Sequence, residues 1–316
     1  NINAERDEQF VCKNSKKRAP IQPYRLKLTL LALPFVVFVF LFSYVPLLGW
    51  GLAFFDYKPG LSLDKIKFVG FKYFQLMFFY KEDILNALLN TLVLSFLSMA
   101  VSVLPIVFAI LLTELRHSRM RKVIQTVVTL PHFVSWIIVY ALCFALFSSN
   151  GMVSQVLMTL GLTNKPLMLM TNASTAWLFM TLLGIWKELG WNSIIYLAAI
   201  TGIDEEYYDA ARVDGAGRFR CIWHITVPGL MPTFIVLLLL KVGNLLSVGF
   251  DQYLVFNNAM ISSRLEVLDL YTYRIGIGTQ DYSFAVAVGI VKSVVSLLML
   301  FSVNALAKRV RGESII

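Results

Sequence analysis

Long apolar runs dominate the chain, and short polar segments separate them. Six of these runs are long enough to cross a hydrocarbon layer of ~30 Å as helices. They are predicted at residues 28–50, 84–113, 123–147, 174–201, 229–250 and 284–306. The pattern therefore predicts an all-α, polytopic membrane protein with six transmembrane helices.

Composition supports this fold class. Hydrophobic residues occupy 58% of the 316 positions, whereas ordinary soluble domains contain roughly 45–50%. Because no low-complexity linker divides the chain, we predict one transmembrane domain at 28–306, between an N-terminal tail at 1–27 and a C-terminal tail at 307–316. The first apolar run is too long for the core of a signal peptide, so it predicts a retained first span.

The distribution of lysine and arginine predicts the orientation. If residue 1 lies in the cytoplasm, the inner segments hold 17 of these residues, and the outer segments at 51–83, 148–173 and 251–283 hold eight. Lysine and arginine accumulate on the cytoplasmic side of membrane proteins. We therefore predict that both tails are cytoplasmic, and that the net charge of +9 reflects topology rather than nucleic-acid binding.

The sequence predicts neither a metal site nor a catalytic site. Cys12, Cys143 and Cys221 lie far apart without the spacing of a metal cluster or a disulfide framework, so we expect free thiols. His132 has no carboxylate or second histidine at ligand spacing. The chain also lacks the G-x-x-x-x-G-K-[ST] phosphate loop, so ATP hydrolysis would have to take place in another chain.

The polar segment 204–228 carries the most informative pattern. Asp204 suits a helix N-cap, and two glutamates follow it where a helix dipole favours negative charge. Gly215 suits the left-handed residue that ends a short helix. A second short helix is predicted at 218–226, where Pro228 would stop it. Two helices joined by a tight turn would project from the membrane as a compact unit.

The spacing of this segment resembles the EAA signature of permease subunits of ATP-binding-cassette importers, E-A-A-x(3)-G-x(9)-I-x-L-P. The chain departs from it at Asp209, which replaces Glu, and at Val227, which replaces Leu. The alternative is an ordinary amphipathic loop helix. The resemblance implies that coupling to an ATPase involves Asp209, Ala210, Ala211, Asp214, Gly215, Ile225 and Pro228.

Three further segments extend the resemblance over nearly the whole chain. Residues 68–74 are similar to a segment of the maltose-type (MalF/MalG-like) carbohydrate permeases, and residues 130–136 and 270–276 look like the LplB-like branch. This resemblance implies a type I importer permease fold, a carbohydrate substrate and a location in the bacterial cell membrane.

The resemblance also implies partners. They are a second homologous permease, two ATPase subunits and an external solute-binding protein. The chain itself would be no enzyme and would bind no cofactor, because ATP and Mg would be used by the ATPase subunits.

Charged and polar residues inside the predicted spans are candidates for a solute pathway. A charge at mid-bilayer costs ~2.5–3.5 kcal/mol on insertion scales, so it should face protein or water. The alternative is a structural role, in which Glu188 pairs with Lys241 or Lys292 of a neighbouring helix. The pathway candidates are Trp186, Lys187, Glu188, Trp191, Asn192, Lys241 and Asn244.

Three intramembrane lysines against one glutamate favour an acidic substrate, such as a uronic oligosaccharide. A competing interpretation is an ion-coupled secondary transporter, which would favour paired intramembrane carboxylates and an internal repeat. A membrane enzyme would need a convergent catalytic set, which the sequence does not offer. We therefore predict an importer subunit that forms half of a translocation pathway for an oligosaccharide.

Overall fold

The computed structural model describes residues 23–60, 62 and 66–311, and within them side chains are described from Lys27 to Ala305. Most of the predicted tail at 1–27, the last five residues of the predicted tail at 307–316 and Cys12 lie outside the described residues. The chain divides into two compact units, and the boundary between them in the sequence falls between Trp50 and Gly51.

The first unit is helical. It contains α1 (Pro23–Val39), a π-helical turn (Phe40–Tyr44) and the start of a 3₁₀ segment (Val45–Phe54). The N–H of Val45 donates to the carbonyl of Phe40, five residues back. This wider turn lets the helix continue past Pro46, which has no N–H to donate. The stretch Lys27–Phe54 is long and apolar enough to span a membrane.

The second unit is also mostly helical. Its only described sheet is antiparallel and pairs β1 (Phe55–Asp56) with β2 (Lys67–Phe68), with Phe55 opposite Phe68. Its α-helices are α2 (Lys72–Phe79), α3 (Lys81–Ala100), α4 (Leu104–Thr113), α5 (Ser118–Thr129), α6 (Trp136–Phe147), α7 (Met152–Thr159), α8 (Ala176–Thr201), α9 (Glu205–Val213), α10 (Arg218–Cys221), α11 (Val227–Gly243), α12 (Phe250–Phe256), α13 (Ser262–Leu265), α14 (Leu268–Tyr273) and α15 (Tyr282–Arg311).

The predicted all-α fold class is confirmed, because the described residues are mostly helical. α8 is the expected fourth span; its 26 residues give a length of ~39 Å at 1.5 Å per residue, but a lysine and a glutamate near its middle make it less apolar. The count of six therefore stays a prediction. Five stretches of the described chain are long and apolar enough to cross a membrane: Lys27–Phe54, Lys81–Thr113, Trp136–Thr159, Arg218–Gly243 and Tyr282–Ala305.

The bounds predicted for the third span, 123–147, are wrong: the helix is broken before α6, and the third spanning stretch is Trp136–Thr159. A 3₁₀ turn (Leu130–Phe133) ends at Val134, whose backbone is extended. Ser135 then caps α6 by accepting the N–H of Ile138 at 3.4 Å. Pro131 removes one donor from the turn and Ser135 offers a new N-cap, so a fresh helix is favoured here.

Pro228 does not stop the helix predicted at 218–226. α10 continues through a π-helical turn (Ile222–Thr226) into α11, so one helical stretch runs from Arg218 to Gly243. The N–H of Val227 donates to the carbonyl of Ile222. The widened turn before Pro228 accommodates its ring, as it does at Pro46. The fifth span therefore starts earlier than the predicted 229–250, and ends at Gly243.

α8 is the central packing element of the second unit, because it contacts α3, α4, α5 and α11. Its Tyr196 is buried with Ile106 and Ala109 of α4 and Leu230 of α11. Phe179 and Met180, nearer its start, belong to a second buried cluster with residues of α6, α12 and α13. A rearrangement of α8 would therefore also move residues of α3, α4, α5 and α11.

The outer segments carry local structure of their own. In the segment predicted at 251–283, α13 and α14 are held to α3 through side chains of Asn90 and Thr91. The Asn90 amide donates to the carbonyls of Ser263 at 3.1 Å and Glu266 at 3.2 Å, and the Thr91 hydroxyl accepts the N–H of Leu268 at 2.8 Å.

Tyr73 fixes α2 to the two-stranded sheet. Its hydroxyl donates to Asp56 at 2.8 Å, and burial, together with this carboxylate, raises the pKa of Tyr73 to about 12. The hydroxyl therefore remains a donor at any physiological pH. α2 also packs against α15, so the 51–83 segment is anchored at the start of the last span.

The contact between α5 and α8 depends on Gly190. A Cβ at this position would lie 2.4 Å from the carbonyl oxygen of Val128, and backbone cannot yield as a side chain can. Overpacking of this kind costs about 1–3 kcal/mol. We expect Gly190→Ala to lower the thermal unfolding midpoint of the purified chain and to reduce its yield.

Gly184 provides the matched control, because it lies in the same helix and a Cβ there meets nothing within 4 Å. Gly184→Ala should leave the midpoint unchanged or raise it, since alanine favours helix by about 0.8–1.0 kcal/mol over glycine. Equal midpoints for the two variants would contradict the close approach of α5 and α8.

Candidate functional site: a capped helix pair and two adjoining cavities

α9 begins and ends as the sequence predicts. The carboxylate of Asp204 accepts the N–H of Glu206 at 3.0 Å, which confirms the predicted N-cap. Gly215 has φ +77°. Its N–H donates to the backbone carbonyl of Arg212 at 3.0 Å, and the N–H of Ala216 donates to the backbone carbonyl of Ala211 at 2.8 Å. These two bonds form a Schellman motif, which ends the helix and turns the chain towards α10.

The two arms of the segment 204–228 are joined by side chains. The hydroxyl oxygens of Tyr208 on α9 and Thr226 are 2.9 Å apart and share a hydrogen bond. The side chain of Ile203, just before α9, lies against Gly229, where a Cβ would be 2.7 Å from its terminal carbon. The pair of helices is therefore tied both to the end of α8 and to the start of α11.

The EAA-like residues are mostly accessible. Asp209 pairs with Arg212 at 2.8 Å, and both side chains are about 70% exposed; such an exposed pair is worth only about 0–1 kcal/mol. Ala210, Asp214, Gly215 and Pro228 are also exposed, whereas Ala211 and Ile225 are half-buried. Asp209 is thus free to exchange its partner.

Exposed apolar side chains flank these residues. Val213, Phe219 and Trp223 are 88%, 89% and 71% exposed, and sequence reasoning missed all three. The sequence could have indicated them, because they are bulky apolar residues inside an otherwise polar segment, and Phe219 and Trp223 are one helical turn apart. Bulky apolar side chains exposed in a polar segment are typical of a protein interface.

Two adjoining cavities lie beside the middle of α8. Their volumes are about 260 Å³ and about 240 Å³. They share the wall residues Ser102, Pro105, Asn192 and Lys241. The arrangement gives a solute-sized space with polar groups on an apolar lining, as is usual for ligand sites.

Four of the seven pathway candidates line these cavities. Glu188 lines the first, Asn244 the second, and Asn192 and Lys241 line both. The Asn192 side chain makes no hydrogen bond within the described part of the chain. Trp186, Trp191 and Lys187 line neither cavity.

Lys187 is buried and forms hydrogen bonds with backbone carbonyls of the protein. It is 5% exposed, and its ammonium donates to the carbonyls of Pro131 at 3.1 Å and His132 at 2.6 Å. It also lies 5.3 Å from the ring centre of Trp136. The break before α6 leaves carbonyls without helical donors, and Lys187 satisfies them.

Glu188 pairs with His132 rather than with a lysine. The carboxylate oxygen lies 2.8 Å from Nδ1 of His132, and the imidazole stacks on Trp191 with ring centres 4.3 Å apart. The alternative pairing of Glu188 with Lys241 or Lys292 is therefore wrong. Sequence reasoning missed His132, because 56 residues separate it from its partner.

The other two intramembrane lysines differ in their contacts. Lys292 forms an ion pair with Asp269. Lys241 donates only to the carbonyl of Ser98, at 3.3 Å, and it has no ion-pair partner among the side chains that the structure describes. Lys241 is thus a cation on a cavity wall that still lacks an anion.

Neither the segment 204–228 nor the two cavities contain a cluster of metal ligands among the residues that the structure describes. Within the described ranges, no three His, Cys, Asp or Glu side chains come close enough together to hold an ion. The cavity walls offer amide, ammonium and carboxylate groups, from Asn192, Lys241 and Glu188.

Comparison with known proteins places these features in a family. The sequence pattern of the family described as "Binding-protein-dependent transport system inner membrane component" matches residues 103–312. Protein LplB of Bacillus subtilis (strain 168) is 39% identical over 91% of this chain and 90% of its own length. The polygalacturonan/rhamnogalacturonan transport system permease protein YteP of the same organism is 38% identical over 96% of this chain and 94% of its own length.

A solved structure matches as well. A chain of the bacterial alginate ABC transporter, crystallised in complex with its alginate pentasaccharide-bound periplasmic protein, superposes with a TM-score of 0.82. It is 33% identical, and the match covers 92% of this chain and 97% of that chain.

Proposed function

Because the chain belongs to the family of binding-protein-dependent transport system inner membrane components, we propose that its segment 204–228 couples a separate ATPase to a pathway for an acidic oligosaccharide. The chain is a permease subunit of an ATP-binding-cassette importer for a sugar or oligosaccharide. The coupling role, the acidic substrate and the partners are the finer parts of the proposal.

Coupling is supported by the way the segment is built. α9 is capped at both ends, and Tyr208 bonds it to the helix Arg218–Gly243. Val213 at the end of α9 and Phe219 on α10 are exposed. A short rigid element with an exposed apolar surface can transmit movement of a docked protein. The expected complex contains a second homologous permease, two ATPase subunits that bind ATP and Mg, and an external solute-binding protein.

The acidic substrate is supported above all by Lys241, the half-buried cation on the wall common to both cavities. A charge inside a membrane protein needs a counter-charge or water, and a uronate carboxylate would supply one. Asn192 would add hydrogen bonds to sugar hydroxyls. Relatives named for polygalacturonan and alginate transport agree with this chemistry.

Orientation is the remaining part of the proposal. With 17 lysines and arginines against eight, both termini and the segment 204–228 would lie in the cytoplasm of a bacterial cell. This places the proposed coupling helices on the same side as ATP. The secondary-transporter alternative is less favoured, because Glu188, the carboxylate on the first cavity's wall, is already engaged by His132.

Uptake into proteoliposomes tests the proposal. The chain and its co-purifying subunits would be reconstituted, and uptake of oligogalacturonate measured with ATP at the ATPase side and the binding protein at the other. We expect uptake only when both are present. Uptake driven by a proton or sodium gradient without ATP would contradict the proposal and favour a secondary transporter.

A further inference from the structure

A third cavity, of about 420 Å³, lies between the end of α4 and the segment 204–228. Three arginines line it, each from a different segment: Arg116 after α4, Arg212 on α9 and Arg218 at the start of α10. Glu114 is the one carboxylate among its lining residues. The lining therefore carries an excess of positive charge, which comes from arginines of three different segments.

Two of these arginines lack a partner of their own. Arg212 pairs with Asp209, but Arg116 and Arg218 form no ion pair within the described residues. A neighbouring cavity of about 430 Å³ shares Arg212 and adds Arg121, but its lining also includes the carboxylates Glu114, Glu205 and Asp209, so the excess of positive charge is confined to the third cavity. Like charges that line one cavity repel one another, so an anion bound there would be stabilising.

The position of the cavity limits the source of that anion. Thr113 is the last residue of α4, a helix that belongs to a candidate span, and Thr226 lies within the spanning stretch Arg218–Gly243; both line the cavity. Helix ends of spanning segments lie at the depth of lipid headgroups. Basic pockets between such helices bind phosphate headgroups.

We propose that this cavity binds a phosphate-bearing anion, namely the headgroup of an anionic phospholipid. The phosphate oxygens are arranged in three dimensions and can accept from Arg116, Arg212 and Arg218 together, which a planar carboxylate with two oxygens does less well. The guanidinium fork is suited to this geometry. The bound lipid would stiffen the junction between α4, α9 and α10.

This site is separate from the proposed ATPase-docking surface. Val213, Phe219 and Trp223, which form that surface, do not line the cavity. Failure of lipid binding would therefore leave the coupling proposal intact, and the reverse also holds.

Binding would be measured on the full chain with its co-purifying subunits, in nanodiscs of phosphatidylcholine that contain increasing fractions of phosphatidylglycerol. Retained lipid would be counted by native mass spectrometry. We expect the double variant Arg116→Gln/Arg218→Gln to bind phosphatidylglycerol about 30-fold more weakly, since each basic residue contributes about a fivefold factor near a lipid surface. Arg116→Lys/Arg218→Lys should be intermediate, because it keeps the charge and loses the fork.

Arg119, at the start of α5 and three residues after Arg116, and Arg220, on α10 with Arg218, give the matched control, since both are exposed and neither lines the cavity. Arg119→Gln/Arg220→Gln should bind lipid as the unaltered chain does. Competition by millimolar inorganic phosphate would support the same chemistry with a soluble source. Equal retention of phosphatidylcholine and phosphatidylglycerol, or equal losses in the two double glutamine variants, would overturn the proposal.

Discussion

Gly215→Val is expected to reduce substrate-stimulated ATP hydrolysis by about tenfold or more, because a left-handed residue with a β-branched side chain costs about 1–3 kcal/mol. The φ of +77° at Gly215 allows the Schellman turn, although a Cβ there would meet nothing within 4 Å. The effect would therefore come from the backbone alone. Loss of the turn would change the direction of α10 relative to α9, so that movement of the docked ATPase would no longer be transmitted to the spans.

Gly217 is the matched control for this prediction. It is exposed, a Cβ there also meets nothing within 4 Å, and its φ of −73° is open to any residue. Gly217→Val should keep most of the stimulated activity, and Gly215→Asn should regain part of it, because asparagine tolerates the left-handed region. Undiminished stimulation in Gly215→Val would refute the coupling role of the turn.

Lys241→Met is expected to reduce uptake of an acidic oligosaccharide about 10- to 100-fold and to leave uptake of a neutral one within about twofold. The estimate follows from a charged hydrogen bond worth about 1.5–3 kcal/mol. The methylene stem is largely retained in methionine, so packing changes little. Initial rates of uptake into proteoliposomes, with each oligosaccharide on its own binding protein, would measure the difference.

Lys187→Met separates recognition from structure. Lys187 is bonded to the carbonyls of Pro131 and His132 and lines neither cavity, so its loss should lower uptake of both oligosaccharides equally, together with thermal stability. Equal losses for both substrates in Lys241→Met as well would rule out Lys241 as the counter-charge.

The sequence predicts the elements whose causes are local. Apolar length predicts that the chain spans the membrane several times, although not the bounds of the third and fifth spans. The cap at Asp204 and the turn at Gly215 follow from the conformations that these residue types prefer. The resemblance to the EAA signature also rests on local spacing. These features could therefore be identified without knowledge of tertiary contacts.

Features that depend on distant partners could not be predicted in this way. The pairing of His132 with Glu188 and the burial of Lys187 require α5 and α8 to approach at Gly190. Nothing in the spacing of these residues indicates that approach. The four cavity-lining candidates were recognisable as polar residues within spans, but the sequence could not separate them from Lys187.

Pro228 is an exception to the rule that proline ends a helix. Proline normally ends a helix, yet the π-helical turn Ile222–Thr226 carries the helix past it. A single extra residue in a turn leaves no clear mark on the hydrophobic pattern. The consequence for function is large, because the π-helical turn makes α10 continuous with the fifth span, α11.

Photo-crosslinking from Val213 tests the central claim most directly. A photoreactive amino acid would replace Val213 in α9, and Leu162, which is 68% exposed in the 148–173 segment, would be replaced as the opposite-side control. In the assembled transporter, the account predicts that Val213 labels the ATPase subunit and that Leu162 does not. An actively transporting complex in which Val213 labels no ATPase, or labels the external binding protein instead, would contradict it.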